Sequence, residues 1–285
     1  MRIGAVDTLA FVKVQGTGND FVMVSDLEDS LELTPSLVRS LCDRRFGIGA
    51  DGVIRVAPSS RAHFFMDYVN ADGSPSEMCG NGIRCLAVFA RAEGLTKEEA
   101  IEVDTHSGVK TVTVEGDRVR VDMGPPSFEP SEIPVTFEDA GSDALHTKLE
   151  LDHEVYEAAV LSMGNPHAVL FVEDARSAPV TTLGPRLEEH AAFPNKANIE
   201  FVAVDSPDRI TMRVWERGSR ETLACGTGAC AAAVAARVLR GTDAKVTVGL
   251  RGGDLEVEWA GSPADEQPVF MTGDAVEVFT GEVKI

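Results

Sequence analysis

Short runs of apolar, β-branched and aromatic residues, broken by Gly-, Asn- and Asp-rich turns, make up most of the chain, and two stretches of good helix formers stand apart from them. Phe21 to Val24 and Ala168 to Val172 read as strands. So do Ala62 to Val69 and Arg209 to Trp215, each followed by turn residues, Ala71-Asp72-Gly73 and Arg217-Gly218-Ser219. Val109 to Val114 and Arg118 to Met123 alternate apolar and polar positions across Glu115-Gly116-Asp117, which predicts a hairpin. Lys245 to Val248 and Leu255 to Trp259 predict another across Arg251-Gly252-Gly253-Asp254. Helices are predicted over Ile83 to Glu93, closed by Gly94, and over Ala229 to Arg240, closed by Gly241. The second carries Ala229, Ala231, Ala232, Ala233, Ala235 and Ala236, small side chains on every face, which suits a helix wrapped by strands.

This order of elements occurs twice, at a constant offset of 146 residues. Gly18 and Asn19 map onto Gly164 and Asn165, Met66 onto Met212, and Cys79, Gly80 and Gly82 onto Cys225, Gly226 and Gly228. The expectation is an α+β fold of two repeated units related by pseudo-twofold symmetry, each a curved mixed or antiparallel sheet wrapped around a central helix. Gly124-Pro125-Pro126 to Pro134 is the most proline-rich stretch and the natural linker, so the units are placed at residues 1–125 and 126–274. A last strand, Ala275 to Val283, falls beyond the second hairpin and is a candidate to return to the first unit within residues 275–285.

Charge narrows the partners. With 26 Lys plus Arg against 46 Asp plus Glu the formal charge is −20, a surface that repels nucleic-acid phosphates and anionic lipid. No apolar run is long enough to cross a bilayer, and Met1 to Gly16 lacks the basic start and apolar middle of a secretion signal, so the expected location is the cytoplasm. Only seven lysines accompany 19 arginines, and dense carboxylates with few lysines suit a salt-rich, halophilic cytoplasm in which screening relieves self-repulsion. Thermal stability is then expected to rise from dilute buffer to molar salt. Five cysteines, an odd number in a chain this long, are expected as thiols in a reducing compartment.

The repeated Cys-Gly-x-Gly carries the chemistry. A cysteine just ahead of a helix sits at the positive end of the macrodipole, where its thiolate is favoured. The glycines let a ligand carboxylate reach the first backbone N–H groups, which have no partner inside the helix. Two such sites facing one α-carbon would place Cys79 and Cys225 as acid and base on opposite faces and invert the stereocentre without a cofactor. Cys42, Cys85 and Cys230 have no repeat partner and read as core residues. The Cys79/Cys85 and Cys225/Cys230 spacings are not those of zinc ligands, and no metal is expected. Gly47-Ile48-Gly49-Ala50-Asp51-Gly52 fits a dinucleotide fingerprint, but Pro35 to Asp43 before it is helix-like and Val53 to Val56 after it strand-like, the reverse of the required order.

Seven segments together resemble the diaminopimelate epimerase family: Gly16-Thr17-Gly18-Asn19-Asp20-Phe21, Phe46-Gly47-Ile48-Gly49-Ala50-Asp51-Gly52, Asn70-Ala71-Asp72-Gly73-Ser74, Glu77-Met78-Cys79-Gly80-Asn81-Gly82-Ile83-Arg84-Cys85, Met163-Gly164-Asn165-Pro166-His167, Asn198-Ile199-Glu200-Phe201, and Glu216-Arg217-Gly218 followed by Glu221-Thr222-Leu223-Ala224-Cys225-Gly226-Thr227-Gly228. The resemblance implies cofactor-independent interconversion of LL- and meso-2,6-diaminopimelate on the route to lysine and to some cell-wall peptides, commonly by a homodimer. It implies Cys79 and Cys225 as the catalytic acid/bases, and Gly80 and Asn81 with Gly226 and Thr227 as the helix starts that hold the reacting carboxylate. Glu216 with the Arg217 carbonyl would take the α-ammonium, Asn19, Asn70, Asn165, Asn198 and the Arg217 side chain the distal end, and His167 and Glu216 would tune the thiols.

Two positions depart from the pattern. Gly52 stands where some members use a Gln side chain, and Arg220 stands where glycine is usual. Proline or hydroxyproline racemases share the two-thiol logic, and a phenazine-biosynthesis-like isomerase shares the fold without the thiol pair. A thiol redox protein joining Cys79 to Cys225 is the reading from another class.

Overall fold

The computed structural model describes residues 8–76, 78–116, 118–136 and 143–285. Glu77 of the cysteine motif, Asp117 of the first hairpin turn and the beginning of the Met1 to Gly16 segment lie outside the described residues. The chain runs β1 (Thr8–Gly16), β2 (Asn19–Ser25), α1 (Pro35–Cys42), β3 (Gly52–Ala57), β4 (Phe64–Asn70), α2 (Gly80–Ala92), β5 (Ala100–Thr105), β6 (Gly108–Glu115) and β7 (Arg118–Gly124). It continues through β8 (Thr147–Leu151), β9 (Glu154–Ser162), β10 (Pro166–Phe171), α3 (Val180–Glu188), β11 (Asn198–Ser206), β12 (Arg209–Glu216), β13 (Arg220–Glu221), α4 (Gly226–Arg240), β14 (Lys245–Leu250), β15 (Gly253–Glu258), β16 (Val269–Asp274) and β17 (Val276–Lys284).

Two compact units result. Unit 1 contains the described residues up to Val121 together with Gly273–Ile285, and unit 2 is Asp122–Thr272. In unit 1 the strands lie in the order β17, β1, β2, β3, β4, β5, β6, β7, with β2/β3 and β4/β5 parallel and the other neighbours antiparallel. Unit 2 repeats this as β8, β9, β10, β11, β12, β14, β15, β16, with β10/β11 and β12/β14 parallel. The duplication seen in the sequence is thus one of strand direction and pairing. It also explains the short turns: an antiparallel neighbour needs a tight hairpin, whereas each parallel step carries a crossover with a helix.

Each sheet wraps its central helix. In unit 1, α2 packs against β1, β2, β3, β4, β6 and β17, and in unit 2, α4 packs against β9, β10, β11, β12, β14 and β15. Ala229, Ala231, Ala232, Ala233, Ala235 and Ala236 are all buried, because a helix enclosed on all sides needs thin side chains. The outer helices close the other face. Thr34 caps α1 by accepting the Leu37 N–H, Pro35 starts it, and Val38, Leu41 and Cys42 pack with Val22, Val24 and Val53. In unit 2, Val180, Leu183 and Leu187 of α3 join Ile199 and Phe201 of β11 in the equivalent core. Gly47-Ile48-Gly49 closes α1 onto β3, with the Gly47, Ile48 and Gly49 N–H groups donating to carbonyls of Asp43 and Leu41, so this glycine run is a helix-to-strand loop. Cys42 and Cys85 are buried, and burial pushes their thiols up to about 11 and about 12, values that fit inert core residues.

Candidate active site

Both repeated cysteines are helix N-caps with extended backbone. Cys79 ends the approach to α2 and its Sγ accepts the Gly82 N–H at 3.4 Å; Cys225 does the same for α4 with the Gly228 N–H at 3.3 Å. The glycines in these turns are fixed by close approach. A Cβ on Gly82 would lie 2.8 Å from Ile54 Cδ1, and one on Gly228 would lie 2.8 Å from Glu200 Oε1 and 3.2 Å from Cys225 Sγ. The sulfur can fold back onto the first turn only because no side chain stands there.

In unit 1 the helix start is tied to the Gly-Asn turn. Asn81 Nδ2 donates to Asn19 Oδ1 at 2.5 Å, and Asn19 Nδ2 donates to Asp51 Oδ2 at 3.0 Å. Arg44 clamps Asp51 and Asp20 from outside. Fully buried Arg84, five residues into α2, donates to the Gly80 carbonyl at 3.2 Å and to Thr17 Oγ1 at 2.7 Å, which anchors the strand-to-strand turn on the helix. Gly80, Asn81, Cys79 and Asn19 therefore come together. Asn70 stands at the end of β4 with its amide donating to Ser74 Oγ at 3.1 Å, so part of its capacity closes its own turn. Gly52 has no room for a side chain, since its Cβ would meet Tyr68 Cε2 at 2.5 Å and the Val69 carbonyl oxygen at 2.6 Å.

Unit 2 repeats the link and adds charge. Asn165 Nδ2 donates to Thr227 Oγ1 at 3.4 Å, the counterpart of the Asn19 to Asn81 contact, and Thr227 Oγ1 lies 3.5 Å from Cys225 Sγ. The imidazole of His167 bridges Asn165 Oδ1, 2.9 Å from Nε2, and Glu200 Oε1, 2.7 Å from Nδ1. Glu216 accepts from the Thr222 hydroxyl and from the Cys225 thiol. The turn after Glu216 is held at three successive N–H groups: Arg217 to Asn198 Oδ1 at 2.9 Å, Gly218 to Glu188 Oε1 at 2.9 Å, and Ser219 to the Glu216 carbonyl at 3.0 Å. Asn198 also donates to the Pro166 carbonyl at 3.0 Å, which leaves its amide one donor and one lone pair for anything else. The Arg217 side chain is exposed. Arg220, in the same loop, has φ of 67°, the left-handed region where its Cβ costs about 1 kcal/mol relative to the glycine usual there.

The electrostatics of Cys225 differ from the helix-start expectation. Burial raises its thiol well above the ordinary cysteine value, the Glu216 and Glu200 carboxylates raise it further, and the Thr227 hydroxyl and Gly228 N–H only partly oppose them. Burial, with two carboxylates added to it, outweighs one capped helix turn and favours the thiol form of this sulfur. Burial likewise raises Glu216, with Glu200 adding to it against the hydrogen bonds from Thr222 and Cys225.

Sequence reasoning missed Asp51, Glu188, Glu200 and Thr222 as parts of these clusters. Glu200 was the detectable one, a lone acid between Ile199 and Phe201 in a run that is otherwise apolar, and it is fully buried. Nothing local marks Glu188, whose carboxylate also takes the Trp215 indole N–H at 2.7 Å.

Known proteins match along nearly the whole chain. The family model described as diaminopimelate epimerase matches residues 11–129 and 159–278. A diaminopimelate epimerase of Moorella thermoacetica is 49% identical over 278 residues, covering 95% of this chain and 98% of that protein. Among solved structures, a phenazine biosynthesis protein of the PhzF family from Bacillus anthracis superposes with a TM-score of 0.70 at 17% identity, covering 98% of this chain and 100% of that one. A probable proline racemase from Agrobacterium radiobacter superposes with a TM-score of 0.68 at 15% identity, covering 97% and 92%. At such identities these two share the fold and nothing finer. With the family model and the full-length relative in agreement, the chain belongs to the diaminopimelate epimerase family.

Proposed function

We propose that the protein interconverts LL- and meso-2,6-diaminopimelate by a two-base reaction at Cys79 and Cys225. The observation that carries the reading is the duplicated N-cap cysteine, each sulfur folded onto a glycine N–H beside first-turn backbone donors. The substrate carboxylate is held by the N–H groups of Gly80 and Asn81 and of Gly226 and Thr227, and the α-ammonium by Glu216 and the Arg217 carbonyl. Asn19, Asn70, Asn165, Asn198 and the Arg217 side chain receive the distal amino acid group. One sulfur, as thiolate, takes the α-hydrogen as a proton and leaves a carbanion; the opposite S–H returns a proton to the other face. Inversion leaves the two sulfurs with exchanged protonation states. Seating an ammonium on Glu216 cancels one of the charges that hold the Cys225 proton in place, so substrate binding itself eases the ionisation of that thiol.

The test is incubation with LL-diaminopimelate in deuterium oxide, with reductant and no added cofactor. Deuterium is expected at the α-carbon together with meso product, and none in proline. Exchange into proline alone would move the assignment to an amino acid racemase of another specificity.

The reading extends to the cytoplasm of a salt-rich cell, supported by the need to keep both thiols reduced and by the charge of −20, and to a homodimer on the family resemblance alone. Among the described residues no helix is long and apolar enough to cross a membrane.

A further inference from the structure

The two units differ beneath their central helices in a way the repeat makes legible. Position for position, Phe21 and Ile54 in unit 1 correspond to His167 and Glu200 in unit 2, at the same offset as the cysteines. All four side chains are fully buried. Ile54 Cδ1 and Glu200 Oε1 occupy the same place, 2.8 Å from a Cβ built on Gly82 or on Gly228. Unit 1 thus demonstrates that an apolar pair fills this space and supports a Cys-capped helix. Unit 2 places an ionisable pair there instead, and the second carboxylate oxygen, Glu200 Oε2, is buried with no partner among the described residues. A buried acceptor left unmet costs about 1 to 3 kcal/mol, and apolar residues of similar volume commonly replace a buried ion pair with no loss of stability. Packing alone gives no reason for the pair.

Its geometry gives one. A carboxylate oxygen and an amide oxygen both only accept, so the 2.7 Å and 2.9 Å contacts have His167 donating from Nδ1 to Glu200 and from Nε2 to Asn165 Oδ1. With its oxygen engaged, the Asn165 amide presents Nδ2 to Thr227, whose hydroxyl lies beside Cys225 Sγ. We propose that Glu200 is a positioning residue for the reaction at Cys225, holding the Nδ1 proton and the orientation of His167 and, through Asn165 and Thr227, the hydrogen bonding around the sulfur. The proposal rests on the two-base reading above and adds to it a residue outside the substrate contacts. It also gives the two thiols of a duplicated protein unlike surroundings, an apolar pair beneath one helix start and an ionisable pair beneath the other.

Three proteins test it: Glu200→Gln, His167→Phe, and the double variant His167→Phe/Glu200→Ile, which installs the pair of unit 1. Proton NMR of the substrate-free wild type should show a downfield imidazole N–H protected from solvent exchange, absent from His167→Phe and lost or moved upfield in Glu200→Gln. Steady-state assay of Glu200→Gln should show kcat lower by about 10- to 100-fold with KM within about twofold. The double variant should melt at or above the wild-type temperature yet keep the depressed kcat. Wild-type kcat in either variant, or no protected N–H assignable to His167, would overturn the proposal. Because the resonance is read without substrate, a wild-type protein inert toward diaminopimelate would refute the proposed reaction and leave the NMR result to decide the role of Glu200.

Discussion

Cys79→Ala and Cys225→Ala are each expected to reduce epimerisation of diaminopimelate by at least about 10³-fold while leaving the fold intact. The chemical loss is complete on one face, because no other group of the matching turn can exchange a proton with carbon. At the helix start of unit 1 the neighbouring side chains are Asn81 and Asn19 and at that of unit 2 Thr227 and Asn165, none of them a usable base at neutral pH, while Glu216 beside Cys225 is engaged by the Thr222 hydroxyl and, in the proposed reaction, by the α-ammonium. The structural loss is small. Each sulfur caps its helix by accepting a long hydrogen bond from a glycine N–H, and removing a cap costs typically about 1 kcal/mol, while the buried faces of α2 and α4 remain unchanged. Circular dichroism and thermal melting should therefore track the wild type, and the assay should not. Serine at either position retains the capping acceptor and should melt still closer to the wild type, yet its hydroxyl ionises too reluctantly to restore turnover. Full epimerisation by either alanine variant would rule out a mechanism that needs one thiol on each face.

The elements that carry these thiols were visible in the sequence because the signal was repeated. A single Cys-Gly-x-Gly is weak, but Cys79 and Cys225 at a constant offset, each with a Gly-Asn pair at the same remove, mark helix starts in both copies, and both helices begin at Gly80 and Gly226. The alternating hairpins β6/β7 and β14/β15 were legible from their period of two. Helix α3 was not. Its Thr-Thr-Leu-Gly-Pro segment contains two helix breakers, and it forms because Gly184 lets the helix approach Trp215 to a distance a Cβ would forbid, 2.6 Å from the Trp215 Cβ. That reason lies in tertiary contact and leaves no local trace. The site divides in the same way. Backbone-binding glycines and turn asparagines stand in recognisable motifs, whereas Glu188 and Asp51 act through partners dozens of residues away. Electrostatics was the least legible part, since the dipole argument concerned one helix end, and the Cys225 thiol is raised first by burial and then by carboxylates from two strands.

Glu216→Gln should show what that field does. The variant keeps the side-chain volume and an acceptor for the Thr222 hydroxyl, and it removes a negative charge that raises the Cys225 thiol. Two effects follow with definite signs. The α-ammonium loses its counter-ion, so KM for diaminopimelate should rise by about tenfold or more. The thiol loses a group that holds its proton, so its pKa falls and, at any pH near neutrality, more of Cys225 is thiolate. Catalysis in either direction needs an enzyme with one thiol and one thiolate, so kcat/KM is bell-shaped in pH, and its limbs belong to the coupled pair. The limb on the alkaline side, where the last thiol is lost, should move to lower pH. Because the equilibrium constant between the two stereoisomers is fixed, kcat/KM measured from LL- and from meso-diaminopimelate must shift together. A limb that stays in place or moves upward would mean that Glu216 does not act on the Cys225 proton. A raised KM with an unmoved profile would restrict Glu216 to holding the ammonium.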